Sequence, residues 1–531
     1  MPRPDEAADA AAAQDEAQGR SQRVMGAAGK MSGAMGAAFF VNLVGNLLLA
    51  KILRTAEPLG IWRSVQLFLQ YTHFLNLGAS HGLDRVGATM ITRGQLVRYR
   101  KAMGASFGFS LVLPVIASIV LLCCIPFIAA TGARLGAIAL VFLIPLQQWQ
   151  VYADLSLIFE KKFGLRARTM FSYTMLRIPL TLLLAWWIGL SGALIAFVVC
   201  TAWFAFSMWR GSEMGARLSL HGRFARSMIR TGLPITLLAF GEIMVQTVDK
   251  WMVLLLGQET AMGLYSMAIF PLPMLMLLPT SLRDAMNVEI YDYARQKGDA
   301  QGVRALYSHT LQLIALGSPI VMGVVFFGVP WLIRWLLSED IQASIPAVEM
   351  HAVMIYPLLI AQTGMGVIIA LRLEVRSFAM VCLLALASAA SCLFLAQNTS
   401  IIPAEIPGDP THAHEQAIMR LVLAVHGCTW FLYAMFILTL NHWKFGLRPA
   451  VAFARSLVYL APMAVAGVSL YGIQWLMERT SLPPYSFANA ALSGLLYLVV
   501  CAPGLVYLEK RYGSVSGFFQ GVGRRLKGFA S

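Results

Sequence analysis

Seven polar residues recur at helical spacing along one apolar stretch near the N-terminus: Arg63, Gln66, Gln70, His73, Asn76, Ser80 and Asp84. Separations of 3, 4, 3, 3, 4 and 4 residues keep all seven within about 140° of a helix circumference at 100° per residue. A stripe with ionisable members cannot face hydrocarbon, because each charged group near the centre of a bilayer costs about 3 kcal/mol or more. It must face a hydrated cavity or a hydrogen-bonding partner helix, and so long a line favours the cavity. Arg in such a cavity grips phosphate as a two-pronged fork and Lys as a point charge. Gln, Asn and His beside them suit hydroxyl-rich groups. The ligand chemistry that fits is a phosphorylated, sugar-bearing lipid.

A second cluster, Glu242, Gln246 and Asp249, repeats at i, i+4 and i+7, with Lys250 beside it. Glu242 or Asp249 could carry an ion or a proton. The plainer alternative is that Asp249 and Lys250 neutralise one another and hold helices together. Pro234 and Gly241 can loosen this helix. Gln147, Gln150 and Asp154 form a weaker face of the same kind. Lys51 and Arg420 sit near the ends of apolar runs and can snorkel to the interface. Arg177, about eight residues into its run, lies too deep for that, and Arg54 with Lys250 would extend a positive surface. The candidate substrate-binding set is therefore Arg63, Arg177, Lys250 and Arg54 for the anion, and Gln66, Gln70, His73 and Asn76 for the polar remainder. The ion-coupling candidates are Glu242 and Asp249. No nucleophile–base pair, nucleotide loop or metal motif is recognisable, so no catalytic residue, metal or cofactor is expected.

The elements that position these residues follow from composition. Of 531 residues, 58% are hydrophobic and only 13% charged, against about 25% charged in soluble proteins. Repeated apolar runs of about 20 residues mark membrane-spanning helices, and continuous runs exclude a barrel of short alternating strands. Fourteen spans are expected, near 32–53, 60–83, 103–130, 134–159, 169–189, 191–209, 231–256, 263–286, 306–328, 346–371, 377–396, 417–440, 456–477 and 486–507. The net charge of +15 first raises nucleic acid as a partner. Yet 32 of the 41 basic residues fall in alternate loops and the two termini, as the positive-inside rule requires when both termini are cytoplasmic. No nucleic acid is needed. The seven cysteines all lie in apolar runs and read as buried small hydrophobes without a disulfide framework. The loop at 397–416, with Asp409, His412, His414 and Glu415, reads as solvated rather than metal-binding.

The organisation expected is an all-α polytopic membrane protein. It has a disordered cytoplasmic tail at 1–30, a six-helix N-lobe at 31–209, a basic cytoplasmic linker at 210–230 and a six-helix C-lobe at 231–440. Two extra helices follow at 441–507, then a basic tail at 508–531. Phe518, Phe519 and Leu526 beside Arg524, Arg525 and Lys527 suit an interfacial segment on anionic lipid. A faint repeat supports the lobes. Offset by 203 residues, Asn46–Val65 aligns without a gap on Asp249–Ala268, with Gly60 meeting Gly263, and parallel six-span repeats are a transporter architecture.

Residues 52–85, ILRTAEPLGIWRSVQLFLQYTHFLNLGASHGLDR, resemble the start of the Wzx-like polysaccharide-biosynthesis flippases. These belong to the multidrug/oligosaccharidyl-lipid/polysaccharide exporter superfamily. The likeness lies in a turn ending in Gly plus an aromatic, Gly60-Ile61-Trp62, then Leu75-Asn76-Leu77-Gly78 leading to Arg85. In the second half Gly232-Leu233-Pro234, Asp249-Lys250 and Gly263-Leu264-Tyr265-Ser266 correspond. The resemblance implies two six-helix lobes in pseudo-twofold arrangement around a cavity. It also implies alternating access and a polyprenyl-pyrophosphate-linked oligosaccharide as cargo, carried across a bacterial inner membrane. Arg63, Arg177 and Lys250 would be the lumen cations by location. Membrane lipid and other polysaccharide-assembly proteins are the implied partners. Two rivals stand: an ion-coupled multidrug or metabolite antiporter of the same superfamily, and a membrane glycan polymerase or ligase. Short outer loops argue against the enzyme.

Overall fold

The computed structural model describes residues 41–512 apart from 161, 213–218, 220, 273–274, 277–278, 281–299, 371–372, 399–401, 404–411 and 481. The tail at 1–30, Asp409, the basic residues Arg217 and Arg283, and the interfacial segment at Phe518 to Lys527 lie outside these residues. All regular structure among the described residues is helical. In chain order the helices are α1 (Val41–Leu53), α2 (Ala56–Thr72) and, after a 3₁₀ turn (His73–Asn76), α3 (Ala79–Thr92). Then come α4 (Leu96–Cys124), α5 (Thr131–Phe159), α6 (Phe163–Gly211) and α7 (Gly222–Ile269). α8 (Ala300–Gly323) runs through a π turn (Val324–Gly328) into α9 (Val329–Leu336), followed by the short α10 (Glu339–Gln342). The rest are α11 (Ile345–Met354), α12 (Tyr356–Ala370), α13 (Glu374–Asn398), α14 (Ala413–Lys444), α15 (Pro449–Glu478) and α16 (Phe487–Tyr512).

Nine described helices are long and apolar enough to cross a membrane, or ten when the bent stretch from α10 to α12 counts as one span. This is a multi-pass membrane protein. Two of the nine are 48 residues long, about twice the 20 or so that a bilayer core requires, and each is broken. α6 breaks at Ile188–Gly189, where Gly189 takes φ 65°, a left-handed value that glycine adopts without strain. α7 breaks at Gln258, φ 56°. The expected continuous span at 60–83 is also interrupted. Leu77 and Gly78 both take positive φ, 51° and 84°, and the chain passes from α2 to α3 through the 3₁₀ turn. Asn76 makes that turn: its Oδ1 accepts the Gly78 N–H at 2.8 Å and its Nδ2 donates to Ser80 Oγ at 3.0 Å.

Prolines inside the helices are tolerated where a neighbour replaces the missing donor. Pro319 in α8 has no N–H for the carbonyl four residues earlier, and that carbonyl, Ala315 O, shares the Tyr356 hydroxyl at 3.1 Å with Tyr459 O at 2.9 Å. The cysteines divide: Cys200 and Cys392 are buried, whereas Cys123, Cys124 and Cys428 are exposed. The expectation that all seven would be buried fails because helix faces that meet lipid are as apolar as the core.

The chain forms two compact units. The first comprises Met1–Gly45, Leu75–Phe127 and Ala137–Leu233, and the second Asn46–Phe74, Ile128–Gly136 and Pro234–Ser531. In the first, Leu83, Met90, Tyr99, Met103, Phe107, Tyr152 and Met228 build one core cluster. Here α3 crosses the start of α7 so closely that a β-carbon on Gly82 would strike the Met228 carbonyl and one on Gly232 the Gly78 carbonyl. Small residues spaced by four allow such backbone contact in membrane helices.

The second unit contains an equally close crossing with an internal symmetry. A β-carbon on Gly60 would strike the Glu259 carbonyl oxygen, and one on Gly263 the Ala56 carbonyl oxygen. Gly60 and Gly263 are partners in the 203-residue repeat, and so are Ala56 and Glu259. The exchange is thus what a local twofold axis produces. The helix breaks follow the same relation to within a residue, Arg54 with φ 63° against Gln258 with φ 56°. The crossing is tied to α10: Ser338 Oγ donates to Arg54 O at 2.7 Å, and Asp340 Oδ2 accepts the Ala56 N–H at 2.9 Å.

Candidate functional site

The second unit holds most of the sequence-derived candidates. On α2, Arg63 Nη1 donates to Gln66 Oε1 at 2.8 Å, as residues three apart on a helix face can. Gln70 is exposed, and His73 sits half-buried in the 3₁₀ turn. Arg54 is exposed, and its left-handed backbone ends α1 rather than lining a helix face. The aromatic end of α2 locks onto α7. Tyr71 Oη lies 2.5 Å from Thr247 Oγ1, and Phe68 and Tyr71 meet Trp251 edge-on with ring centroids 4.9 and 5.7 Å apart.

On α7, Glu242 Oε1 accepts from Gln246 Nε2 at 3.1 Å and from Gln362 Nε2, on α12, at 2.8 Å. Two turns on, Asp249 and Lys250 are buried, 1% and 6% exposed. Lys250 Nζ donates to the Gln246 carbonyl at 2.9 Å. Asp249 Oδ2 accepts from the Tyr265 hydroxyl at 2.5 Å, while Oδ1 points toward His426 Nε2, 3.6 Å away. His426 on α14 has its other nitrogen 3.3 Å from Ser388 Oγ on α13. Trp430, one turn on, stacks edge-on with His426 at 4.4 Å and with His351 of α11 at 5.4 Å. The indole N–H of Trp430 donates to Val245 O at 3.1 Å. A charged and titratable cluster from α7, α11, α13 and α14 therefore lies inside an apolar helical unit.

Two candidates fall in the first unit. Arg177 of α6 donates to Asn42 Oδ1 at 2.5 Å and lies 5.1 Å from the Tyr173 ring centre and 5.8 Å from that of Phe197. Asn76 is the turn-forming residue already described. Asp154, of the weaker face on α5, takes a two-pronged grip from Arg166, at 2.5 and 2.9 Å. The side chain of Asp84 lies outside the described residues.

Sequence reasoning singles out Asp249 and Lys250, names Tyr265 only within the family motif, and passes over His351, His426 and Trp430. A signal was present for the histidines, since each is an ionisable residue inside an apolar run. Nothing in their spacing links positions 75 residues apart to one another or to Asp249. Another long-range pairing falls on the loop read as solvated: His412 Nε2 lies 2.7 Å from Asp340 Oδ1. No cluster of three or more His, Cys, Asp or Glu suited to a metal occurs among the described residues.

Comparison with known proteins supplies the relationship. Solved structures match at low identity and so speak to the fold. A lipid II flippase MurJ in an inward closed conformation matches with a TM-score of 0.63 at 14% identity, covering 90% of this chain and 99% of its own. The eukaryotic MATE transporter AtDTX14 matches with a TM-score of 0.56 at 14% identity, covering 82% and 99%. A MOP superfamily transporter from Pyrococcus furiosus, described as having a binding pocket of reverse polarity, matches with a TM-score of 0.52 at 13% identity, covering 79% and 95%. No curated protein matches by sequence. The polysaccharide biosynthesis protein family matches residues 39–346, more than half of the chain. The fold is that of the solved MOP-superfamily transporters. It belongs to the polysaccharide biosynthesis protein family.

Proposed function

We propose that this transporter flips a polyprenyl-pyrophosphate-linked oligosaccharide from the cytoplasmic to the outer leaflet of a bacterial inner membrane by alternating access, for surface or exopolysaccharide biosynthesis. In this reading the chain has fourteen spans with both termini cytoplasmic. The six-helix lobes at 31–209 and 231–440 rock, and 441–507 adds two helices. Arg63, Lys250 and Arg177 attract the pyrophosphate, Gln66, Gln70 and His73 meet sugar hydroxyls, and the polyprenyl tail stays in lipid. The single observation that carries it is the pair of cations, Arg63 and Lys250, inside the apolar helices of a polysaccharide biosynthesis protein. Ionisable side chains inside apolar membrane helices are rare and mark functional positions. Outward movement of the anion is also favoured in an inside-negative cell, by about 2.3 kcal/mol per charge per 100 mV.

The test is an Arg63→Ala/Arg177→Ala double variant in cells that depend on this chain for surface glycan. Loss of surface glycan, with the variant still present in the membrane, is the expected result. Normal glycan display would sink the anion-binding role.

The likeness in fold to multidrug transporters supports a second reading, an ion-coupled drug antiporter. That reading needs carboxylates free to meet cationic drugs. Here Glu242 is held by two carboxamides and Asp249 by a phenol, which favours the flippase. Unchanged drug susceptibility in a deletion strain is the outcome expected.

A further inference from the structure

We propose that Asp249, His426 and His351 form a proton-binding site inside the second unit, linked to the anion-binding pair Arg63 and Lys250. Four polar atoms in this cluster have no hydrogen-bond partner among the described residues: Asp249 Oδ1, His426 Nε2 and both ring nitrogens of His351. The three side chains are 1%, 0% and 1% exposed. A buried polar atom left unsatisfied costs about 1–3 kcal/mol, and native proteins contain few of them. Four in one place, around one tryptophan, mark the position of a ligand. Among the described residues no set of three or more His, Cys, Asp or Glu is placed to hold a metal, and a proton is the ligand the arrangement can accept.

The geometry shows how. With its ring proton on Nδ1 facing Ser388 Oγ, 3.3 Å away, neutral His426 turns the lone pair of Nε2 toward the Asp249 carboxylate. Two acceptors then face each other, which accounts for a separation of 3.6 Å instead of the usual 2.7–2.9 Å for a charge-assisted bond. A proton on Nε2 converts that repulsion into an ion pair, with Tyr265 already holding the other carboxylate oxygen. His351, across Trp430 from His426, is the second position a proton can reach.

The groups around the site set its sign. Lys250 lies within electrostatic reach of both imidazoles and its charge opposes any added positive charge, while Arg63 acts on the cluster through Lys250. Tyr265 and Cys392 are neutral neighbours, and Glu242 lies two turns away in its bonds to Gln246 and Gln362. An anion bound to Arg63 and Lys250 offsets their charge and favours the proton. By reciprocity the proton favours the anion equally. The proton site stands on this cluster alone, whereas the linkage rests on the flippase reading.

The experiment follows Trp430 emission in the full-length protein in detergent, as the difference between wild type and Trp430→Phe, from pH 8 to pH 4. A protonated imidazole 4.4 Å from the indole centre quenches it. The expected course is one sigmoidal loss of at least about half the Trp430 signal, absent in His426→Gln, with inorganic pyrophosphate moving the midpoint up by about one pH unit. The pyrophosphate shift should vanish in Arg63→Ala. A pH course unchanged by His426→Gln overturns the proton site. If Trp430→Phe does not fold, potentiometric titration of wild type against His426→Gln and His426→Asn reads the same proton directly, and equal proton uptake overturns the site. A quench that pyrophosphate leaves unmoved overturns the linkage and counts against Arg63 and Lys250 as the anion site, while the proton site stands.

Discussion

The buried charges of the two units are treated differently. In the first unit each named charge is met by local chemistry. Arg177 has an amide and two aromatic rings, and Asp154 has both prongs of Arg166. In the second unit Asp249, Lys250, His426 and His351 are more deeply buried, and four of their polar atoms find no hydrogen-bond partner among the described residues. Folding alone has no use for the second arrangement, since a fully apolar core would cost less. Proteins depart from that rule at functional sites. The second-unit cluster is thus the one that local bonding leaves incomplete, whereas Arg177 in the first unit is held by its neighbours as well as being a proposed anion contact.

The largest expected effect attacks the frame that the second-unit cluster depends on. Gly263→Leu forces a side chain into the Ala56 backbone carbonyl, which cannot move aside as a side chain could. A loss of about 3 kcal/mol or more, read as a lower unfolding midpoint in detergent, is the expected outcome. Gly60→Leu should match it, because the two positions exchange contacts symmetrically. A large difference between them would break the local twofold.

Next is Asp249→Asn, which leaves Lys250 buried without its anionic neighbour and should cost roughly 3 kcal/mol. Adding Lys250→Met should recover much of that loss. A double-mutant cycle with no coupling would show that the two charges act independently.

Arg177→Met tests the opposite side of the comparison. Loss of one charged hydrogen bond and two ring contacts should cost about 1–3 kcal/mol, with Arg177→Lys intermediate. If Arg177→Met leaves the unfolding midpoint unchanged, its bonds to Asn42 and the two rings add nothing to stability and the contrast between the units fails. The smallest effect belongs to Asp340→Asn at the α10 tie. Its carboxylate is one-third exposed, so a change of about 1 kcal/mol or less is expected, measured as a shift in the same midpoint.

Much of this was legible in the chain. Long apolar runs force helices because a bilayer leaves no other way to satisfy backbone groups. Gly189 ends the expected span at 169–189, and the structure breaks α6 there. The Gly60/Gly263 alignment, one of two identities in twenty positions, proved to be a physical contact between the repeats. Less legible was the stripe on 63–84. Its regular spacing read as one helix, but Asn76 diverts its side chain to a turn and the helix changes there. Short polar side chains compete with helical hydrogen bonds in this way, and periodicity does not report that competition. The proton cluster was less legible still, since His351 and His426 are isolated in apolar runs.

Class of protein, helical content and the presence of charges that hydrocarbon would not tolerate all follow from residue type and local spacing, because the bilayer acts on each segment separately. Which charges meet was settled by packing. Asp249 finds His426, 177 positions away, and Ala56 finds Asp340, 284 positions away. Such partners are chosen by how helix faces interdigitate, and van der Waals fit between distant segments leaves no periodic trace in the order of the residues.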